Sequence, residues 1–152
     1  MASGWTNRGK YYWLGQAFRN DTEPANLYMA LVTSAATPTA DTNVMSDLTQ
    51  IATGNGYTDG GYQLTRNSTD FDTHTEDDTS DLAYVRIKDI VWTASGGPIP
   101  SSGSGARYAV LTDDNATVAN RQVLAYFDLV SDRSVSSGQT LTLQDCELRL
   151  TE

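Results

Sequence analysis

The fold that this sequence predicts is all-β: a single antiparallel sandwich or jelly-roll-like domain with a short N-terminal helix or arm. Three observations carry that expectation. Apolar residues alternate with a period of two in most segments from Leu27 onward. Tight-turn dipeptides such as Asn55-Gly56 and Asp59-Gly60 punctuate those segments. Six or so short strands then recur at 10–20-residue spacing, the pattern of a sandwich or barrel.

The size fits one domain. A chain of 152 residues buries roughly 68–70% of its unfolded surface, so neither a metal nor a disulfide is needed to hold it together. Only 39% of the residues are hydrophobic and 19% charged; Thr, Ser, Asn and 12 glycines make up the difference, as suits strands joined by polar turns.

Along the chain, residues 1–24 read as the arm or short helix and residues 25–152 as the β domain. The first 20 residues hold Arg8, Lys10 and Arg19, no acidic residue, and two of the three tryptophans. Tyr11, Leu14 and Phe18 recur at i, i+3 and i+7, one face of a short helix. Gly15 weakens that helix by about 1 kcal/mol relative to alanine. Two readings stay open: a helix that caps the core, or a basic aromatic arm that docks on an acidic or apolar neighbour.

From Leu27 to Val32 both parities are apolar, which predicts a central strand. Residues 37–43 are turn-rich, and Val44 to Ile51 fit one or two helical turns capped by Asp41, Thr42 or Asn43. The glycines of residues 53–62 read as turns, because no Gly-Lys-Ser/Thr follows them as a phosphate loop requires. Asp70, Asp72, Glu76, Asp77, Asp78 and Asp81 read as a solvated acidic loop, with a loose Ca²⁺ site as the alternative. Thr75 stands where an EF-hand needs glycine.

The second half is strongly β. Ala83, Val85 and Ile87 share one parity and Ile90 and Trp92 the other, which predicts a β-bulge near Asp89. Leu141 and Leu143 against Cys146, Leu148 and Leu150 predict a second bulge near Gln144–Asp145. Arg107 to Leu111 and Val123 to Leu129 are further strands. Between them and Trp92, residues 95–105 form a Gly/Ser/Pro loop with Ile99 between two prolines. It reads either as a mobile surface connection or as a contact loop that orders on a partner.

Composition also bears on chemistry. The net charge of −9 and pI near 4.3 argue against nucleic acid or an anionic membrane as a partner, since phosphate binding needs clustered Lys and Arg. Cys146 and His74 are each the only residue of their kind, too few for an intramolecular disulfide or a zinc site. A nucleophile–His enzyme would need His74, which lies in the acidic stretch with no positioned nucleophile. The expectation is therefore no enzyme, no catalytic residue, no cofactor and no metal. The N-terminus lacks a signal-peptide apolar stretch, and no run approaches 18 apolar residues, so a soluble protein made in a cytoplasm is expected.

Five segments, in order, carry a resemblance. They are Leu27-Tyr-Met-Ala-Leu-Val-Thr-Ser, Met45-Ser-Asp-Leu-Thr-Gln-Ile-Ala-Thr-Gly-Asn-Gly-Tyr, Val91-Trp-Thr-Ala-Ser-Gly-Gly-Pro-Ile-Pro, Ala106-Arg-Tyr-Ala-Val-Leu-Thr-Asp-Asp and Val123-Leu-Ala-Tyr-Phe-Asp-Leu. Together they resemble a family of small virion structural proteins of tailed bacteriophages: decoration, cement or tail-fibre-like proteins. The resemblance implies a capsid decoration (cement) protein made in the host cytoplasm. It would bind the major capsid protein on the outer surface of the assembled head, and itself as a homo-oligomer, most simply a trimer. The alternative is a tail or fibre module that binds a receptor or glycan, although the sequence has neither heptads nor a fibrous repeat for a shaft. Trp5, Arg8, Lys10, Tyr11, Tyr12, Trp13 and the loop residue Ile99 are the candidate interface residues, because aromatics and Arg dominate interface energetics when desolvated.

Overall fold

The computed structural model describes residues 3–151; Met1, Ala2 and Glu152, the outermost residues of the two expected units, lie outside it. The elements run β1 (Ser3–Trp5), α1 (Asn7–Arg19), β2 (Asn26–Val32), β3 (Tyr62–Thr65), β4 (Thr73–Asp77), β5 (Leu82–Ile87), β6 (Ile90–Thr93), β7 (Ala106–Thr112), β8 (Val123–Arg133), β9 (Thr140–Leu143) and β10 (Cys146–Thr151). All ladders are antiparallel. One sheet has the order β1-β8-β7-β2-β3; the opposing layer consists of β10-β5-β4 continued by the pair β6-β9. The expected all-β sandwich with an N-terminal helix is the fold.

The main core lies between the layers. Met29, Leu31, Leu64, Leu111 and Phe127 of the first sheet meet Ile87, Ile90, Trp92, Leu143 and Cys146 of the second. A smaller cluster of Val32, Met45, Tyr108, Val110 and Val123 covers the outer face of the first sheet. That second cluster explains why β2 is apolar at both parities: it pairs with β7 and β3 and is buried on both faces.

Several expectations need correction. The parity changes at Asp89 and Gln144–Asp145 are not bulges. They face each other: Ile87 pairs with Cys146 and Ile90 with Leu143, so two residues on one strand oppose two on the other. A bulge needs an excess residue. Here both strands kink at once, with Asp145 at φ 56° and Gln144 Nε2 donating to Asp89 Oδ2 at 3.0 Å. The kink keeps the apolar residues on either side of it facing the same core. A true bulge falls instead at Leu124, the residue left over between the pairs Leu111–Ala125 and Thr112–Val123.

The acidic stretch is not all loop, since residues 73–77 are the edge strand β4, paired with β5. An edge strand exposed on both faces needs no apolar alternation, and its charges discourage further pairing. Only a 3₁₀ turn, Met45–Asp47, forms within residues 44–51. Its free N–H groups, from Asn43 and Val44, are taken by the Asp47 carboxylate rather than by a side chain at 41–43. The turns at 53–61 are as expected: Gly54 and Tyr57 exchange backbone hydrogen bonds around Asn55-Gly56, and Gly61 donates to Thr58.

Residues 95–105 are an ordered connection. The Ile99 N–H donates to Val135 and its carbonyl accepts from the Val135 N–H. Asn55 Nδ2 donates to the Pro98 carbonyl at 2.8 Å, and Ser101 Oγ donates to that of Thr53. Ile99, fully buried, belongs to the core and presents no contact surface.

Candidate functional site

The segment that the sequence set apart is built into the sandwich at one end and exposed at the other. Strand β1 extends the first sheet by pairing with β8. Thr6, fully buried, then ties the chain down: its Oγ1 donates to the Val123 carbonyl at 2.6 Å, and its N–H donates to the carbonyl of Leu124 freed by the bulge. The same Oγ1 accepts from the Gly9 N–H and so caps α1. Residues 3–9 are thus tied into the sandwich.

Helix α1 lies on the sheet through glycine. A Cβ at position 9 would overlap the Leu124 carbonyl, and one at 15 would overlap the Asp21 carboxylate. Glycine at position 9 lets the helix backbone approach β8, and Tyr12 and Gln16, one and two turns on, share that inward face. The apolar stripe therefore turns outward. Tyr11 is 67% exposed, Leu14 54%, Phe18 81% and Trp13 45%. Lys10 and Arg19 are exposed beside it, and the Arg8 guanidinium sits 5.9 Å from the Tyr11 ring centre. A helix capping the core would have hidden that stripe.

The candidate interface residues consequently divide. Tyr11, Lys10 and Arg8 belong to the outer face, joined by Leu14 and Phe18, which the periodicity had flagged as one helical face. Trp5 and Tyr12 point the other way, and Trp13 spans both. Trp5 Nε1 donates to the Arg149 carbonyl at 2.8 Å, clamping β1 to β10 of the opposite sheet.

Beneath α1 lies a cavity of about 490 Å³, with walls from both sheets, among them Leu27 and Val85, and from Phe71 in the connection between β3 and β4. Burial first, then the Asp113 and Asp114 carboxylates, push the Tyr12 hydroxyl up to about 12. The Gln16 amide is close enough to temper that rise, yet its nitrogen is buried and makes no hydrogen bond of acceptable geometry. A second groove, of about 760 Å³, lies beside β1 and β10. In it Glu147 accepts from both Arg86 and Arg149 at 2.5 Å, and Asp145 lines it as well.

The groups considered for other chemistry lie apart. His74 is exposed on β4 and reaches the cavity mouth, whereas Cys146 is buried on β10. Burial, then Asp145 and Asp89, push the Cys146 thiol up to about 12, which keeps it protonated and unreactive. Of the carboxylates at 70–81, Asp70 is buried against Lys88 at 2.5 Å, and Asp77 caps its own turn through the Thr79 and Ser80 N–H groups. Among the described residues no three His, Cys, Asp or Glu side chains gather closely enough to hold a metal ion. No helix among the described residues is long and apolar enough to cross a membrane.

Compared with known proteins, the chain matches no family model, no curated protein and no solved structure.

Proposed function

We propose that this protein is a non-enzymatic assembly module, a bacteriophage capsid decoration protein that binds the head shell as a homo-oligomer, most simply a trimer. The outward apolar face of α1 is the observation that carries the reading. Three large apolar side chains, each more than half exposed, lie on a rigid helix that is anchored by Thr6 and Gly9. Leaving such a stripe in water is unfavourable, and contiguous exposed apolar patches mark interaction sites. The first 20 residues carry three positive charges and no negative one on a chain of net charge −9. That asymmetry steers the face toward an acidic neighbour, such as another copy's body or an acidic capsid surface. A closed ring needs two different patches on each subunit, and the helix face is one of them.

The triple variant Tyr11→Ser, Leu14→Ser, Phe18→Ser tests the reading, because none of the three side chains supports the core. Native protein is expected to sediment as an oligomer, to rebind heads stripped of it, and to delay their heat disruption. The variant is expected to remain folded, sediment as a monomer and lose head binding. Equal binding by both proteins refutes the role of the helix face. Density for this chain at the tail tip of an intact particle replaces the decoration reading with the receptor- or glycan-binding one.

A further inference from the structure

We propose that the cavity beneath α1 is a binding site for a compact, neutral, ring-bearing organic ligand held by its apolar walls. The inner face of the second sheet shows that the sandwich opens here. Along β10, exposure rises from 1% at Cys146 through 8% at Leu148 to 48% at Leu150, and along β5 a buried Ile87 gives way to half-buried Val85 and Ala83. These residues alternate on one face, and a closed sandwich would bury all of them. The sheets splay instead, and α1 roofs the gap with Tyr12, Trp13 and Gln16.

At about 490 Å³ the space falls within the range of small-molecule sites. Water in it faces mainly apolar walls, and its displacement by apolar ligand surface is favourable. Trp5, Tyr12, Trp13 and Phe71 offer ring faces and edges suited to flat rings. The Gln16 Nε2 is shut off from the space and lies by the Tyr12 hydroxyl. At the rim, Arg66 is already engaged by Glu23 Oε2 and the Pro24 carbonyl. Recognition therefore rests on the apolar walls rather than on charge. The site is independent of the outer helix face.

The naphthyl ketone prodan, a neutral flat ring system with one carbonyl, is a direct probe. Titrated into the full chain, it is expected to show blue-shifted emission that saturates at one equivalent. Ala83→Trp, and separately Val85→Trp, fill the gap and are expected to weaken binding by at least about tenfold. Phe18→Ser, on the outer face, is expected to leave the titration unchanged. Near-UV circular dichroism checks that each variant keeps its native packing, and either filling variant suffices if the other fails to fold. Absence of saturable binding, binding that survives the filled cavity, or binding lost with Phe18→Ser overturns the proposal.

Discussion

Gly9 and Arg121 illustrate how single residues position larger surfaces. Gly9 has an ordinary helical place, yet the Leu124 carbonyl occupies the space a methyl group would need. Gly9→Ala is therefore expected to destabilise the protein by about 1–3 kcal/mol, the cost of overpacking, although alanine is the better helix former. Chemical denaturation of the two proteins checks this, and a stabilised variant would show that α1 is free to move off the sheet. Arg121 is 7% exposed and makes no ion pair among the described residues. It is held by donating to the carbonyls of Asn115 and Gly60 at 3.0 and 3.2 Å and by the Tyr28 ring 3.7 Å away. Two carbonyl hydrogen bonds and a desolvated cation–π contact together make Arg121→Ala costly, by about 2–4 kcal/mol. Arg121→Lys is expected to recover only part of that, because an ammonium cannot repeat the planar fork.

At the scale of elements, the N-terminal segment joins two layers. Strand β1 closes one edge of the first sheet, Thr6 caps α1 and bonds β8, and Trp5 reaches across to β10. Deleting residues 2–13 is thus expected to lower stability by at least about 3 kcal/mol, given the loss of a large aromatic packed on the core. It is not expected to leave an intact β domain. Thermal unfolding of the truncated chain measures this, and an unchanged midpoint would mean that the segment is an appendage after all. The loop at 95–105 makes the converse point: Ile99→Ala, at a fully buried position, is expected to cost about 2–5 kcal/mol.

For the whole molecule, acid is the condition to which these ion pairs make the fold sensitive. The hydrogen bond from Lys88, and after it that from the Thr65 N–H, hold the Asp70 carboxyl below its usual range. Glu147 is held low by Arg86 and then Arg149. A carboxyl with a depressed folded pKa stabilises the native state above its unfolded value near 4, and that contribution is lost as pH falls through the folded value. Thermal midpoints are expected to stay level from about pH 7 to 5 and to drop below about 4. Asp70→Asn is expected to lower the midpoint at pH 7 and to flatten the acid limb. An identical acid limb in that variant would show that Asp70 carries none of the effect.

The sequence by itself determined the fold class, the strands with alternating or doubly apolar residues, the glycine turns and a helix at the N-terminus, because period and turn chemistry are local properties. It also marked the one helical face that now stands exposed. Strands β1, β3 and β4 escaped notice: β1 and β3 are only three and four residues long, too short for alternation to register, and β4 is mostly exposed. The tertiary structure alone decided which way the helix faces: Gly9 packs where the sequence offered only a missing side chain, and the Tyr11, Leu14 and Phe18 stripe turns to water. It alone paired the two parity changes as a shared kink, drew Ile99 into the core, and opened the space beneath α1. Each of these depends on residues far apart in the chain approaching within contact distance, and no local pattern records that.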